Sequence, residues 1–111
     1  MRKIVRNAVT MFRSNTEGFC GDAIRVSVQN DGFTRILYHG NVIVRKFPDG
    51  KIDISDGGNR TPTVIQILNA IANPLGCKVL KRDERWVLCR GDWLVERFTM
   101  NRFLTLEKKH V

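Results

Sequence analysis

The best-equipped stretch of this chain for binding chemistry is Asp56-Gly57-Gly58-Asn59-Arg60 running into Thr61-Pro62-Thr63. Thr61 followed by Pro62 reads as a helix N-cap with proline at the first helical position. The first amides of a helix lack internal partners, and its dipole favours negative charge. Glycines let the backbone approach a ligand, Arg60 and the hydroxyls of Thr61 and Thr63 can donate, and no carboxylate lies in the first turn. That is how a phosphate site is built. It is not a Walker loop, because no Gly-Lys-Ser/Thr follows. Plain capping behind a flexible loop would use the same residues, and the segment alone does not separate the two.

A second candidate lies further on, where Lys78, Lys81, Arg82, Arg85 and Arg90 are interleaved with Trp86 and followed by Trp93. Basic residues around an aromatic ring suit a nucleic acid or a nucleotide base. A solvated strand face with Trp86 in the core fits equally well. Both candidates call for an anionic ligand.

Catalysis is poorly supplied. His39 and His110 belong to no nucleophile or metal motif, and they lack ligand spacing. Asp53 and Asp56 flank a loop and could take a divalent ion, but solvated turn residues are the simpler reading. Arg90-Gly91-Asp92 reads as a hairpin turn rather than an adhesion signal. The expectation is a protein that is not an enzyme and needs no cofactor or metal.

The elements that must position these residues follow from periodicity. Ala23–Gln29 alternates apolar and polar side chains, Asn30-Asp31-Gly32 turns, and 33–38 returns as a strand. Residues 42–47 and 51–55 add two more strands around Pro48-Asp49-Gly50. Val64, Ile65, Leu68 and Ile71 have helical spacing, so one central helix covers about 62–73, ended by Asn73-Pro74 and Gly76. No charged residue occurs between Thr61 and Cys77, which predicts a helix covered by sheet or by another subunit. Residues 77–82, 85–89 and 92–98 form a second antiparallel set, with a final strand around 103–106. The fold class is α+β: a β meander, the uncharged helix, then more strands, in one domain spanning 1–111. Met1 to Ser14 is basic and amphipathic, a first structural element whose type stays open or, alternatively, a targeting segment.

Composition bounds the partners. The 111 residues are 42% hydrophobic and 27% charged, as in an ordinary globular domain, and no apolar run nears the ~20 residues of a membrane span. Nineteen Lys and Arg against eleven Asp and Glu give a net +8, spread evenly along the chain, which favours polyanionic or phosphorylated partners. Cys20, Cys77 and Cys89 are an odd set without a C-x-x-C pair, which indicates reduced thiols in a cytosol.

Several pieces stand in a familiar order: Arg6-Asn7-Ala8-Val9, Tyr38-His39-Gly40-Asn41-Val42-Ile43, Ile54-Ser55-Asp56-Gly57-Gly58, Thr61-Pro62-Thr63 leading to Leu68-Asn69-Ala70, and Arg85-Trp86-Val87-Leu88. Over roughly residues 4–98 the chain resembles a family of small phage proteins, the first type of Thoeris anti-defence protein. That resemblance implies a sponge. Such proteins bind cyclic ADP-ribose-type signals made by bacterial TIR-domain enzymes and hold them uncleaved in the cytoplasm of the infected host. Some members assemble as dimers or hexamers, and some also take up cyclic oligonucleotides. Thr63 and Asn69 match the ligand positions of that family, Asn59 stands at another of them, Arg60 and Thr61 join from the helix-start reading, and Arg85 and Arg90 are candidates for the later arginines. The chain departs from the pattern where the family has an aromatic ring (here Asn59), a second threonine (Val64) and the arginine of an Arg-Leu-Asn triplet (Ile67).

Two classes of function follow: a non-catalytic binder of a cyclic nucleotide signal, or a basic phage protein that binds nucleic acid or inhibits a host enzyme. A sponge selects for a concave pocket, whereas a long polyanion selects for an extended basic stripe with steep salt dependence. A homo-oligomer is expected, on the ground that the uncharged helix and the apolar first segment exceed what one small sheet needs to cover it.

Overall fold

The first element is a helix, α1 (Lys3–Arg13), in which Val5, Ala8, Val9 and Phe12 form one buried stripe and Lys3, Arg6 and Arg13 stay outside. Burying a side chain such as Phe12 stabilises by roughly 1.5–3 kcal/mol. Lys46 donates to the Phe12 carbonyl at 3.1 Å, placing a cation at the helix's negative end. The computed structural model describes residues 2–91 and 93–106. Met1, Asp92 and residues 107–111, including His110, lie outside the described residues.

The meander is larger than its sequence pattern shows. Strands β1 (Gly18–Gly21), β2 (Ile24–Val28), β3 (Thr34–Tyr38), β4 (Asn41–Lys46), β5 (Ile52–Ile54) and β9 (Leu104–Leu106) make one six-stranded antiparallel sheet in the order β1-β2-β3-β4-β5-β9. β1 is bounded by glycines and too short to alternate, so periodicity gave no sign of it. The final strand, expected around 103–106, pairs with β5 across about half the chain. Ile24, Val26, Ile36, Val44, Ile54, Leu104 and Leu106 point inward, where the helices cover them. Arg25, Arg35 and Arg45 alternate onto the opposite face.

Helix α2 (Pro62–Ala72) falls where its spacing predicts, and a 3-10 turn (Asn73–Leu75) with Gly76 at φ 80° ends it. Its Val64, Ile67, Leu68, Ile71 and Ala72 are buried. Their cover comes from this chain itself, since α2 packs on α1, on β4 and on β6 (Cys77–Arg82). The three strands β6, β7 (Arg85–Arg90) and β8 (Trp93–Arg97) form a second antiparallel sheet with β7 in the middle. Asp83 and Glu84 both take positive φ, as a two-residue hairpin turn of the primed kind requires. One apolar cluster joins Trp86 and Leu88 of the second sheet to Phe98, Leu104 and both helices. Among the described residues, no helix is long and apolar enough to cross a membrane.

Candidate anion-binding site

The loop before α2 is organised around a carboxylate that is buried and paired, not the solvated turn residue its sequence context predicts. Asp56 is fully buried. Its Oδ1 accepts the amides of Gly58 and Asn101, each at 2.9 Å, and its Oδ2 accepts Arg60 Nε at 3.0 Å. Burial pushes its pKa up, but the two amides and the guanidinium outweigh that and hold the carboxyl below its ordinary value. Gly57 sits at φ 63°, and a Cβ there would fall 2.7 Å from Ile43 Cγ2, so this position is closed to any side chain. Asp53 is buried too, paired with Arg45 at 2.9 Å. The two carboxylates are thus each matched to an arginine. Among the described residues, no group of three or more His, Cys, Asp and Glu could hold a metal ion.

That network uses up the donors expected at the helix start. Arg60 also gives its Nη2 to the Phe98 carbonyl at 3.0 Å, and its guanidinium lies 5.9 Å from the Trp86 ring centroid. Thr61 accepts the Val64 amide at 3.3 Å, the cap its sequence predicts. Thr63 Oγ1 accepts from Arg2 at 2.7 Å. Asn59 contributes its own amide to the Asp56 carbonyl at 3.0 Å. Asn69, six to ten positions along, does not join them. Its side-chain amide grips the outer edge of β6, accepting the Val79 N–H at 2.7 Å and donating to the Val79 carbonyl at 2.9 Å. It thereby stands in for a neighbouring strand on an edge that would otherwise leave both groups unpaired.

The two hairpin arginines separate. Trp86 is buried, edge-on to Phe98 at 6.1 Å, so it belongs to the core. Arg85 and Arg90 lie on opposite faces of β7, as their odd spacing requires. Arg90 donates to the Leu75 carbonyl at 3.1 Å and borders a cleft of about 360 Å³ between the sheets, beside Glu96 and Phe103. Arg85 borders a different hollow of about 390 Å³, with Arg82, Asp83, Val87, Leu94 and Arg97. Three arginines there face one carboxylate, and among the described residues none of the three has an ion pair. Val87 and Leu94 supply an apolar floor.

Arg97 escaped sequence reading for a definite reason. Counting back from the Arg90–Trp93 pair, a regular ladder would set Glu96 opposite Val87. The register instead shifts between Leu88 and Cys89, so Arg97 faces Val87. This bulge places a cation where a carboxylate would have stood.

The chain matches the Kyanoviridae Gp96 protein family over residues 1–105. No curated protein and no solved structure matches it.

Proposed function

The chain belongs to the Kyanoviridae Gp96 protein family and is a phage protein; we propose that it sequesters a phosphorylated nucleotide signal, holding it intact in the cytoplasm of the infected host. The observation that carries this reading is the hollow bounded by Arg82, Arg85 and Arg97, whose cations have no ion pair among the described residues. Its volume of about 390 Å³ lies at the small end of the usual range of ligand pockets, about 300–1,000 Å³. Phosphates meet the guanidinium groups, while a ribose or base lies on Val87 and Leu94.

The resemblance to the Thoeris anti-defence family supplies the finer reading: a cyclic ADP-ribose-type signal or a cyclic oligonucleotide as ligand, and a dimer or hexamer as the working form. Relative to that resemblance, the binding surface moves from the helix start to the second sheet. A sponge needs affinity without an activated water, and among the described residues the lining of the hollow has no histidine, cysteine or hydroxyl side chain.

The test is incubation with purified cyclic ADP-ribose isomers, removal of free ligand, heat release and mass analysis. Recovery of the intact isomer supports sequestration. Steady release of ADP-ribose, or recovery of no ligand, refutes it.

A further inference from the structure

The chain has six phenylalanines. Phe12 and Phe98 are core residues. The other four, Phe19, Phe33, Phe47 and Phe103, carry cations over their rings: Arg25 lies 5.8 Å from Phe19, Arg35 lies 4.9 Å from Phe33, and Arg45 lies 3.9 Å from Phe103. Phe47 has two, Arg45 at 5.3 Å and Lys51 at 5.1 Å, and its ring centroid is 4.7 Å from that of Phe33.

Strand alternation puts all of them on one surface. Val26, Ile36, Val44 and Ile54 face the helices, so Arg25, Arg35 and Arg45 face away. Phe19 pairs with Arg25 and shares its side. Thr34 and Lys46 bond toward the α1 side, through Asn15 and Phe12, which turns the neighbouring Phe33 and Phe47 outward. Phe103, next to inward Leu104, lies against outward Arg45. No described helix packs on this face.

Five cation–ring contacts within about 6 Å gather on this one sheet face. Asp31 neutralises Arg35 and Asp53 neutralises Arg45, both at 2.9 Å, while Arg25 and Lys51 have no ion pair among the described residues. Rings and guanidinium planes that alternate across a positively charged sheet suit unpaired bases and their phosphates.

We propose that the helix-free face of the six-stranded sheet is a platform for single-stranded nucleic acid. Bases stack on Phe19 and on the Arg35 and Arg45 guanidinium planes that lie over Phe33, Phe47 and Phe103, and the phosphates meet Arg25 and Lys51. This surface is separate from the arginine hollow of the second sheet. It also does not depend on the sponge reading.

The experiment is fluorescence anisotropy with a fluorescein-labelled oligodeoxythymidylate of ~12 nucleotides, within the footprint range of single-strand-binding folds. The expected result is binding that weakens with salt, with a log–log slope near −0.7 for each phosphate contacted. Phe19→Ala changes a ring that is 62% exposed, and it should weaken binding by about 5- to 100-fold with the melting temperature unchanged. Lys51→Ser, in an exposed turn, is the second variant and should lower both the affinity and the salt slope. Lys3→Ser, an exposed cation on α1, should bind the oligonucleotide as the unaltered protein does. Three outcomes overturn the proposal. One is no binding at about 50 mM salt. Another is an affinity in both Phe19→Ala and Lys51→Ser equal to that of the unaltered protein. The third is a dimer that dissociates in those two variants, which would mean that a second copy covers the face.

Discussion

Asp56 and Asn69 show how a polar side chain that looks like part of a ligand site can be consumed by the fold. Asp56 receives two backbone amides and one guanidinium, and through Asn101 it ties the segment before β9 to the start of α2. Because its pKa is lowered in the folded protein, the stability it contributes is present above its unfolded value of about 3.9 and is lost as pH falls through the lower folded value. Asp56→Asn leaves Arg60, which is partly exposed, without its charge partner and should cost about 1.5–3 kcal/mol. A urea titration at neutral pH checks this, and the acid limb of the variant's stability profile should be flatter. Asn69→Ala should expose both Val79 backbone groups at about 1–3 kcal/mol each. Hydrogen exchange at the Val79 amide should quicken, while affinity for a nucleotide in the arginine hollow stays the same.

At the scale of elements, much of the architecture was legible from local pattern. Alternation located β2 to β5, and Thr61-Pro62 with helical spacing located α2 to within a residue. What pattern could not show was pairing at a distance. β9 closes the sheet beside β5, and β1 is a four-residue strand with glycine at both ends. The same limit hid half of the site. Arg85 was visible as a basic residue on a hairpin, but Arg97 reaches the hollow only through a bulge in β8, which residue types alone do not announce. Asp53 and Asp56 misled because burial, not sequence, decides whether a turn carboxylate is solvated or paired. For α2 itself, Leu68→Ala should destabilise by about 2–5 kcal/mol, since the side chain is fully buried. Thr61→Ala should cost about 1 kcal/mol through the lost cap. Chemical denaturation of the two variants under one set of conditions should reproduce that order.

For the whole molecule, the net charge of +8 is distributed unevenly in its effect. Arginines 2, 35, 45 and 60 are paired with carboxylates, whereas Arg82, Arg85 and Arg97 have no such partners among the described residues and surround one hollow. The apolar surface is likewise uneven. α1 and α2 are covered within the chain, and what remains outside is concentrated in β8, where Trp93 is 80% exposed beside Leu94 and Val95. If copies of the chain assemble, that strand rather than α2 supplies the apolar contact. Light scattering of a Trp93→Ser variant should then show a smaller particle than the unaltered chain, and a 12.7 kDa monomer for both would remove the oligomer from the proposal.

Binding in the arginine hollow is tested most directly by titration calorimetry with a cyclic ADP-ribose isomer on three proteins: the unaltered chain, Arg85→Ala and Thr63→Ala. One charge-assisted hydrogen bond contributes roughly 1.5–3 kcal/mol. Arg85→Ala should therefore weaken binding by about ten- to a hundredfold, and Thr63→Ala should leave it within about twofold. The reverse pattern, with affinity lost in Thr63→Ala and kept in Arg85→Ala, would return the site to the start of α2 and contradict this account.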